Sequence, residues 1–234
     1  MEPTGIIFAA LDCDADAVEA WNRWYDLEHT PMNVCLDGVM LSRRYVATPA
    51  LHEVRIAAEG SPFAGGRATF LTTYVLSGDP QRAFDAMSVE LPRLYEEGRM
   101  TFPADKKAVR EGDVFEAEGA AGRPALQLRA RDVPFVGHTG VVVVQRHGAD
   151  DRARRVAELD GVTGVWTLRS RTRPDLHLDL VFVDDDPGGC AVAIREAVPH
   201  TAEVVLDAPY LLIDPMRYPW ADAIRSSSLP KTVS

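Results

Sequence analysis

The strongest constraint on the fold is an element order that occurs twice. Leu36-Asp37-Gly38-Val39 closes the first helix of the N-terminal half, and Leu159-Asp160-Gly161-Val162 closes that of the C-terminal half. Gly38-Val39 also leads to Arg43 as Gly164-Val165 leads to Arg169, at the same offset. Repetition of this kind points to two supersecondary units, each needing the other to bury its core.

In half one, 5–11 reads as a buried strand and 14–33 as a helix with Val18, Trp21, Trp24/Tyr25 and Glu28 at helical spacing. Pro31 should end or bend that helix. Strands follow at 39–47 and 67–76. A helix at 80–97 opens at Pro80 and is interrupted at Pro92, and 107–117 supplies a closing strand. Half two repeats the order with a strand at 137–147, a helix at 149–159, strands at 164–172 and 176–184, a helix at 187–198 and a strand at 202–214. The reading is therefore α+β: two tandem ferredoxin-like βαββαβ repeats, 1–118 and 137–215, packed sheet to sheet as a pseudo-dimeric barrel. Residues 119–136 form the connection, with a short apolar strand at 124–133, and 216–234 a tail with a frayed end. Residues 50–66 are long for a hairpin connection, so a lid and disorder are equal expectations.

Composition excludes several functions. The 35 acidic residues outnumber the 25 basic ones, for a net charge of −10, which disfavours nucleic acid and anionic lipid. Val141–Val144, the longest apolar run of the second half, is far short of a membrane span of roughly 20 residues, and the acidic start MEPTG has no basic region of a signal peptide. Cys13, Cys35 and Cys190 show no CxxC spacing. The cytoplasm is the expected compartment. No HExxH, GxGxxG, P-loop or GxSxG pattern is present, and Asp184-Asp185-Asp186 reads as an acidic turn, so neither a metal nor a nucleotide is expected.

The stretch Trp21-Asn22-Arg23-Trp24-Tyr25-Asp26-Leu27-Glu28-His29-Thr30-Pro31, then Leu36-Asp37-Gly38-Val39 and Arg43-Arg44-Tyr45, resembles the dimeric α+β barrel superfamily and its EthD-like proteins. These carry a first helix of the form W-Y-x-x-E-H-x-P, a P-G-F turn and a strand with A-R-R-Y. Asp37 and Val39 depart from the turn at positions without chemistry. The resemblance covers about the first 45 residues by motif and the rest by element order. It implies a pocketed fold more firmly than a reaction, since such proteins include cofactor-free monooxygenases, cyclases, dehydratases and haem-degrading enzymes.

On the helix, Trp21, Tyr25 and His29 are successive i, i+4 neighbours, and Glu28 lies near the same stripe. His29 is the expected proton carrier, oriented by Glu28 or Tyr25, with Arg43 stabilising an anion. Trp21, Trp24, Arg44 and Tyr45 are the expected substrate contacts, although Trp21 and Trp24 suit a core better than a ligand wall. Only one of Arg43 and Arg44 can face the pocket, and Tyr45 shares the face of Arg43. The helix of half two has no aromatic and no His, so one site is expected. His138, His147 and His177 read as structural, or as a second pocket across the interface. These residues suggest proton-transfer chemistry on a hydrophobic cyclic or aromatic ligand, or a binding module without chemistry. Haem through a His ligand is compatible but not demanded, as is further self-association of the barrel.

Overall fold

The structure is a computed structural model that describes residues 2–229. Half one contains β1 (Pro3–Cys13), α1 (Val18–Trp24), a π-turn at Tyr25–His29, α2 (Thr30–Val34), β2 (Val39–Val46), α3 (Pro49–Glu53), β3 (Ile56–Ala57), β4 (Phe70–Ser77), α4 (Pro80–Glu96) and β5 (Lys107–Gly122). Half two contains β6 (Gly140–His147), α5 (Ala153–Ala157), β7 (Val162–Ser170), β8 (Leu176–Val183), α6 (Pro187–Ala197), β9 (Glu203–Leu212) and α7 (Ala221–Arg225).

The sheet runs β2-β4-β1-β5-β7-β8-β6-β9-β3, and β2 also pairs with β9. Each half therefore has the ferredoxin-like strand order, and the two four-stranded sheets join edge to edge into a closed antiparallel barrel. Closure removes the strand edges that a single half would expose. Inward residues such as Phe8, Phe115, Val143, Leu180, Phe182 and Tyr210 form the core of the barrel. On the outer face of half one, Trp21, Trp24 and Tyr25 of the first helix region pack with Phe70 of β4, and on that of half two Val142, Val144 and Val181 pack beneath α5 and α6.

The halves correspond at positions fixed by backbone chemistry. Gly5 and Gly140 open β1 and β6, and a Cβ on either would lie 2.2 Å from a carbonyl oxygen of the adjacent strand, Phe115 and Tyr210 respectively. Asp79 and Asp186 cap α4 and α6 through Gln81 N–H (3.0 Å) and Gly189 N–H (2.7 Å), each followed by Pro. Gly38 (φ +88°) and Gly161 (φ +78°) turn the chain into β2 and β7. The Leu-Asp-Gly-Val echo thus marks the same turn twice. Gly164 does not match Gly38, because it lies inside β7 against Val133.

Several expectations need correction. The first helix is not stopped by Pro31: a π-turn at 25–29 carries it on as α2, with Pro31 in its first turn, where an N–H is dispensable. α4 runs through Pro92, which is exposed, so the carbonyl it cannot reach is left to water. The 124–133 strand is absent; 3-10 turns at Pro124–Leu126 and Ala130–Phe135 follow β5, which extends to Gly122. Residues 50–66 are neither disordered nor a lid: β3 pairs with β9, and Phe63 is fully buried in the barrel core. The tail from 216 is packed, with Trp220 and Ile224 buried against the first helix region; residues 230–234 of the expected frayed end lie outside the described residues. No helix among the described residues is long and apolar enough to cross a membrane.

Candidate functional site

The Trp21-to-Tyr45 motif divides between two faces of β2. Arg44 points outward under α1, where Nη1 donates to Asp26 Oδ1 at 2.8 Å and to the Asn22 carbonyl at 3.3 Å, and Nη2 donates to Asn22 Oδ1. Its guanidinium lies 4.2 Å over the Tyr25 ring. The carboxylate paired with it is Asp26, not Glu28. Glu28 is exposed and accepts a bond from Thr101 at 3.2 Å.

Trp21 is fully buried, edge-on to Tyr25 (5.2 Å) and Phe70 (4.6 Å), so Trp21 and Tyr25 are core rather than pocket wall. His29 stacks on Trp24 at 4.7 Å, and its Nδ1 is buried without a partner. Burial, then the charges of Lys107 and Arg44, pushes its pKa down to about 3. His29 lines neither of the two largest clefts. Its other ring nitrogen, Nε2, lies 3.4 Å from the Asn33 side-chain nitrogen, away from the cleft at His138. Trp24 and Glu28 line an open groove along the outer side of α1 with Phe102 and Lys106.

Arg43 and Tyr45 face the other way, toward the barrel mouth, and so cannot serve a site at His29. There the Tyr45 hydroxyl lies 3.1 Å from Nε2 of His138. The opposite ring nitrogen, Nδ1, lies 2.8 Å from the Val136 carbonyl. A carbonyl only accepts, so Nδ1 carries the hydrogen and Nε2 presents its lone pair to Tyr45. Burial lowers the His138 pKa, with the Val136 bond opposing and Arg43 adding to the shift. A neutral imidazole of fixed tautomer results.

His138 lines a cleft of about 480 Å³ between the halves, together with Asp26, Thr30, Ser42, Arg43, Arg44, Thr139, the apolar side chains Leu212, Ile213 and Pro215, and Asp214, whose carboxylate pairs with Arg217 at 3.3 Å. Asp26 neutralises Arg44, whereas Arg43 has no carboxylate partner among the described residues. The Thr30 and Ser42 hydroxyls and Arg43 Nε are buried there without hydrogen-bond partners. A site with one uncompensated cation, orphaned polar atoms and a neutral imidazole is suited to proton transfer beside a developing negative charge.

Sequence reasoning missed Asp26 and Thr30, and gave His138 only as part of an interface set. His147 and His177 do not join it; they pair with Asp175 (3.0 Å) and Glu118 (2.9 Å). The helical spacing Asn22–Asp26 is the one signal that could have found Asp26.

A haem iron bound at His138 would have to take the Nε2 position that the Tyr45 hydroxyl occupies, because Nδ1 is held by the Val136 carbonyl.

No known family profile matches the sequence, and no curated protein matches it significantly. Solved structures do. A candidate monooxygenase from Fusobacterium nucleatum superposes with a TM-score of 0.50 at 10% identity, over 92% of this chain and 94% of that one. A candidate chlorite dismutase superposes with a TM-score of 0.52 at 10% identity, over 95% of this chain and 98% of that one. At such identity the likeness is one of architecture, and that architecture is the dimeric α+β barrel.

Proposed function

We propose that the protein is a small-molecule enzyme, working by proton transfer without a bound cofactor at the cleft between its halves. Its substrate has a cyclic or aromatic body that rests on Leu212, Ile213 and Pro215. His138 Nε2 is the base: in the resting protein the Tyr45 hydroxyl occupies the lone pair, and the acidic hydrogen of the substrate takes its place. Arg43 stabilises the anion left behind. The observation that carries the reading is the pairing of a neutral, tautomer-fixed imidazole with an uncompensated guanidinium in one cleft.

The names of the similar structures, a monooxygenase and a chlorite dismutase, agree with an enzyme on this fold but select neither reaction. Two further readings belong to the proposal. The halves are copies of one ancestral unit, supported by the matched pairs Gly5/Gly140, Asp79/Asp186 and Gly38/Gly161. A cytoplasmic location agrees with three free cysteines.

The test uses a neutral carbon acid, phenylacetone, in D2O. The protein should accelerate exchange of its benzylic hydrogens, and His138→Gln should reduce that acceleration about 100-fold or more while leaving circular dichroism unchanged. Equal exchange by the two proteins would remove the mechanism. Saturable binding with no exchange would instead favour a ligand-binding module.

A further inference from the structure

The two seams that close the barrel are unequal. β5 and β7 pair from Phe115↔Ser170 to Gly122↔Gly164, seven residue pairs in all. β2 and β9 pair at only Tyr45↔Leu212 and Val46↔Leu211, extended by one bond from Ile213 N–H to the Arg44 carbonyl at 2.9 Å. In that register Ser42 would face Pro215. A proline nitrogen carries no hydrogen, so the ladder stops. Because Arg44 directs its carbonyl toward β9, Ser42, of the same parity, directs its N–H and C=O into the same gap. The cleft at His138 fills this gap, bounded by Ser42 and Arg43 on one side and Ile213 to Pro215 on the other.

An open seam of this kind offers two things side by side. The backbone of Ser42 presents one donor and one acceptor, the complement of a secondary amide. Arg43, in the next position, presents a guanidinium with no counter-ion. We infer that the ligand class is an amide-linked carboxylate of the N-acyl amino acid type. Its amide continues the broken ladder at Ser42, its carboxylate sits on Arg43, and its side chain lies on Leu212 and Ile213. This rests on the cleft being the active site, but it specifies what binds there and not what His138 does to it.

Four probes separate the parts: N-acetylphenylalanine, its carboxamide, 3-phenylpropionate, which keeps ring and carboxylate without the amide, and phenylacetone. By calorimetry, N-acetylphenylalanine should bind about tenfold or more tighter than its carboxamide, as expected for a charge-assisted pair, and about fivefold tighter than 3-phenylpropionate. Arg43→Gln should erase the first preference and Arg43→Lys retain much of it. Ser42→Pro, which deletes an N–H directed away from β4, should erase the second. Equal binding of acid and carboxamide, equal binding with and without the amide, or no binding of the acid overturns the assignment. Phenylacetone exchange reports separately on His138: its loss with the preferences intact sinks the catalytic reading and leaves the ligand class standing.

Discussion

Tyr45 and His138 are 93 residues apart and meet at 3.1 Å, phenol oxygen to Nε2. The bond joins β2 of one half to the segment just before β6 of the other, and it forms only because the barrel closes. A donor on Nε2 favours the neutral imidazole, the form that burial already selects. Tyr45→Phe should therefore raise the His138 pKa toward the ordinary value of about 6.5. Titration of the ring carbon resonances by NMR checks this. A pKa that stays put or falls would show that the phenol does not hold the ring neutral.

Trp21 lies in the core of the first helix–sheet layer, with no exposure and two edge-on ring contacts. Trp21→Ala should cost about 3–5 kcal/mol in urea denaturation. Ligand affinity at the cleft should stay unchanged in the folded fraction, since Trp21 does not line it. A weakened affinity at equal foldedness would restore the pocket-wall role suggested by the sequence.

The pH dependence of stability follows from two half-buried histidines with ring nitrogens shut off from water. Burial and then Lys107 and Arg44 hold His29 down to about 3, and burial and then Arg55 do the same for His52. Both stay neutral in the folded chain but bind a proton on unfolding below about pH 6.5. Between about pH 6.5 and 3 the unfolded state binds more protons, so stability is complete above that window and is lost as pH falls through it. The slope is at most about 1.4 kcal/mol per pH unit for each ring. His29→Gln or His52→Gln should each flatten the fall in the urea midpoint from pH 7 to pH 5. Parallel curves for wild type and variants would exclude this origin.

Two glycines test the correspondence of the halves. Gly5→Ala and Gly140→Ala each place a methyl 2.2 Å from a carbonyl oxygen. Neither strand can yield without opening the barrel, so each should destabilise by about 1–3 kcal/mol or more. Gly60, with nothing within 4 Å of an added Cβ, provides the contrast of a glycine limited by backbone conformation alone (φ +77°). Stability unchanged at Gly5 and Gly140 would show that these close approaches are not enforced.

These residues also show how much the sequence encodes locally. Alternation alone separates Arg43 and Tyr45 from Arg44, because parity on a strand needs no tertiary information. Which face receives the helix depends on the crossover, so a local reading puts Arg43 on the wrong side. The π-turn at Tyr25–His29 adds a residue to the helical repeat and rotates the residues beyond it. Asp26 still lies four residues after Asn22, on the face that meets Arg44, whereas nearness to Tyr25, which is core, points to Glu28 instead. The cleft itself depends on the register that sets Pro215 against Ser42, two residues 173 positions apart whose pairing no local pattern encodes.

The ion pair made by Asp26 in place of Glu28 ties the first helix to the chain after β9. Asp26 Oδ1 accepts from Arg44 at 2.8 Å, with side chains only 7% and 5% exposed. Its Oδ2 accepts from Met216 N–H at 2.8 Å and the Tyr218 hydroxyl at 2.5 Å. One carboxylate thus neutralises the guanidinium beneath α1 and fastens the segment after β9 that forms a wall of the cleft. Asp26→Ala would leave the Arg44 charge buried and unpaired, at a cost of about 3–5 kcal/mol. Hydrogen exchange should rise first at Met216–Trp220, ahead of the barrel strands. The double replacement Asp26→Leu with Arg44→Met removes both charges and should recover most of the lost stability without restoring protection at Met216. If Asp26→Ala instead left both the urea midpoint and exchange at Met216 unaltered, the buried pair would be neither a stabilising unit nor the fastening of this segment.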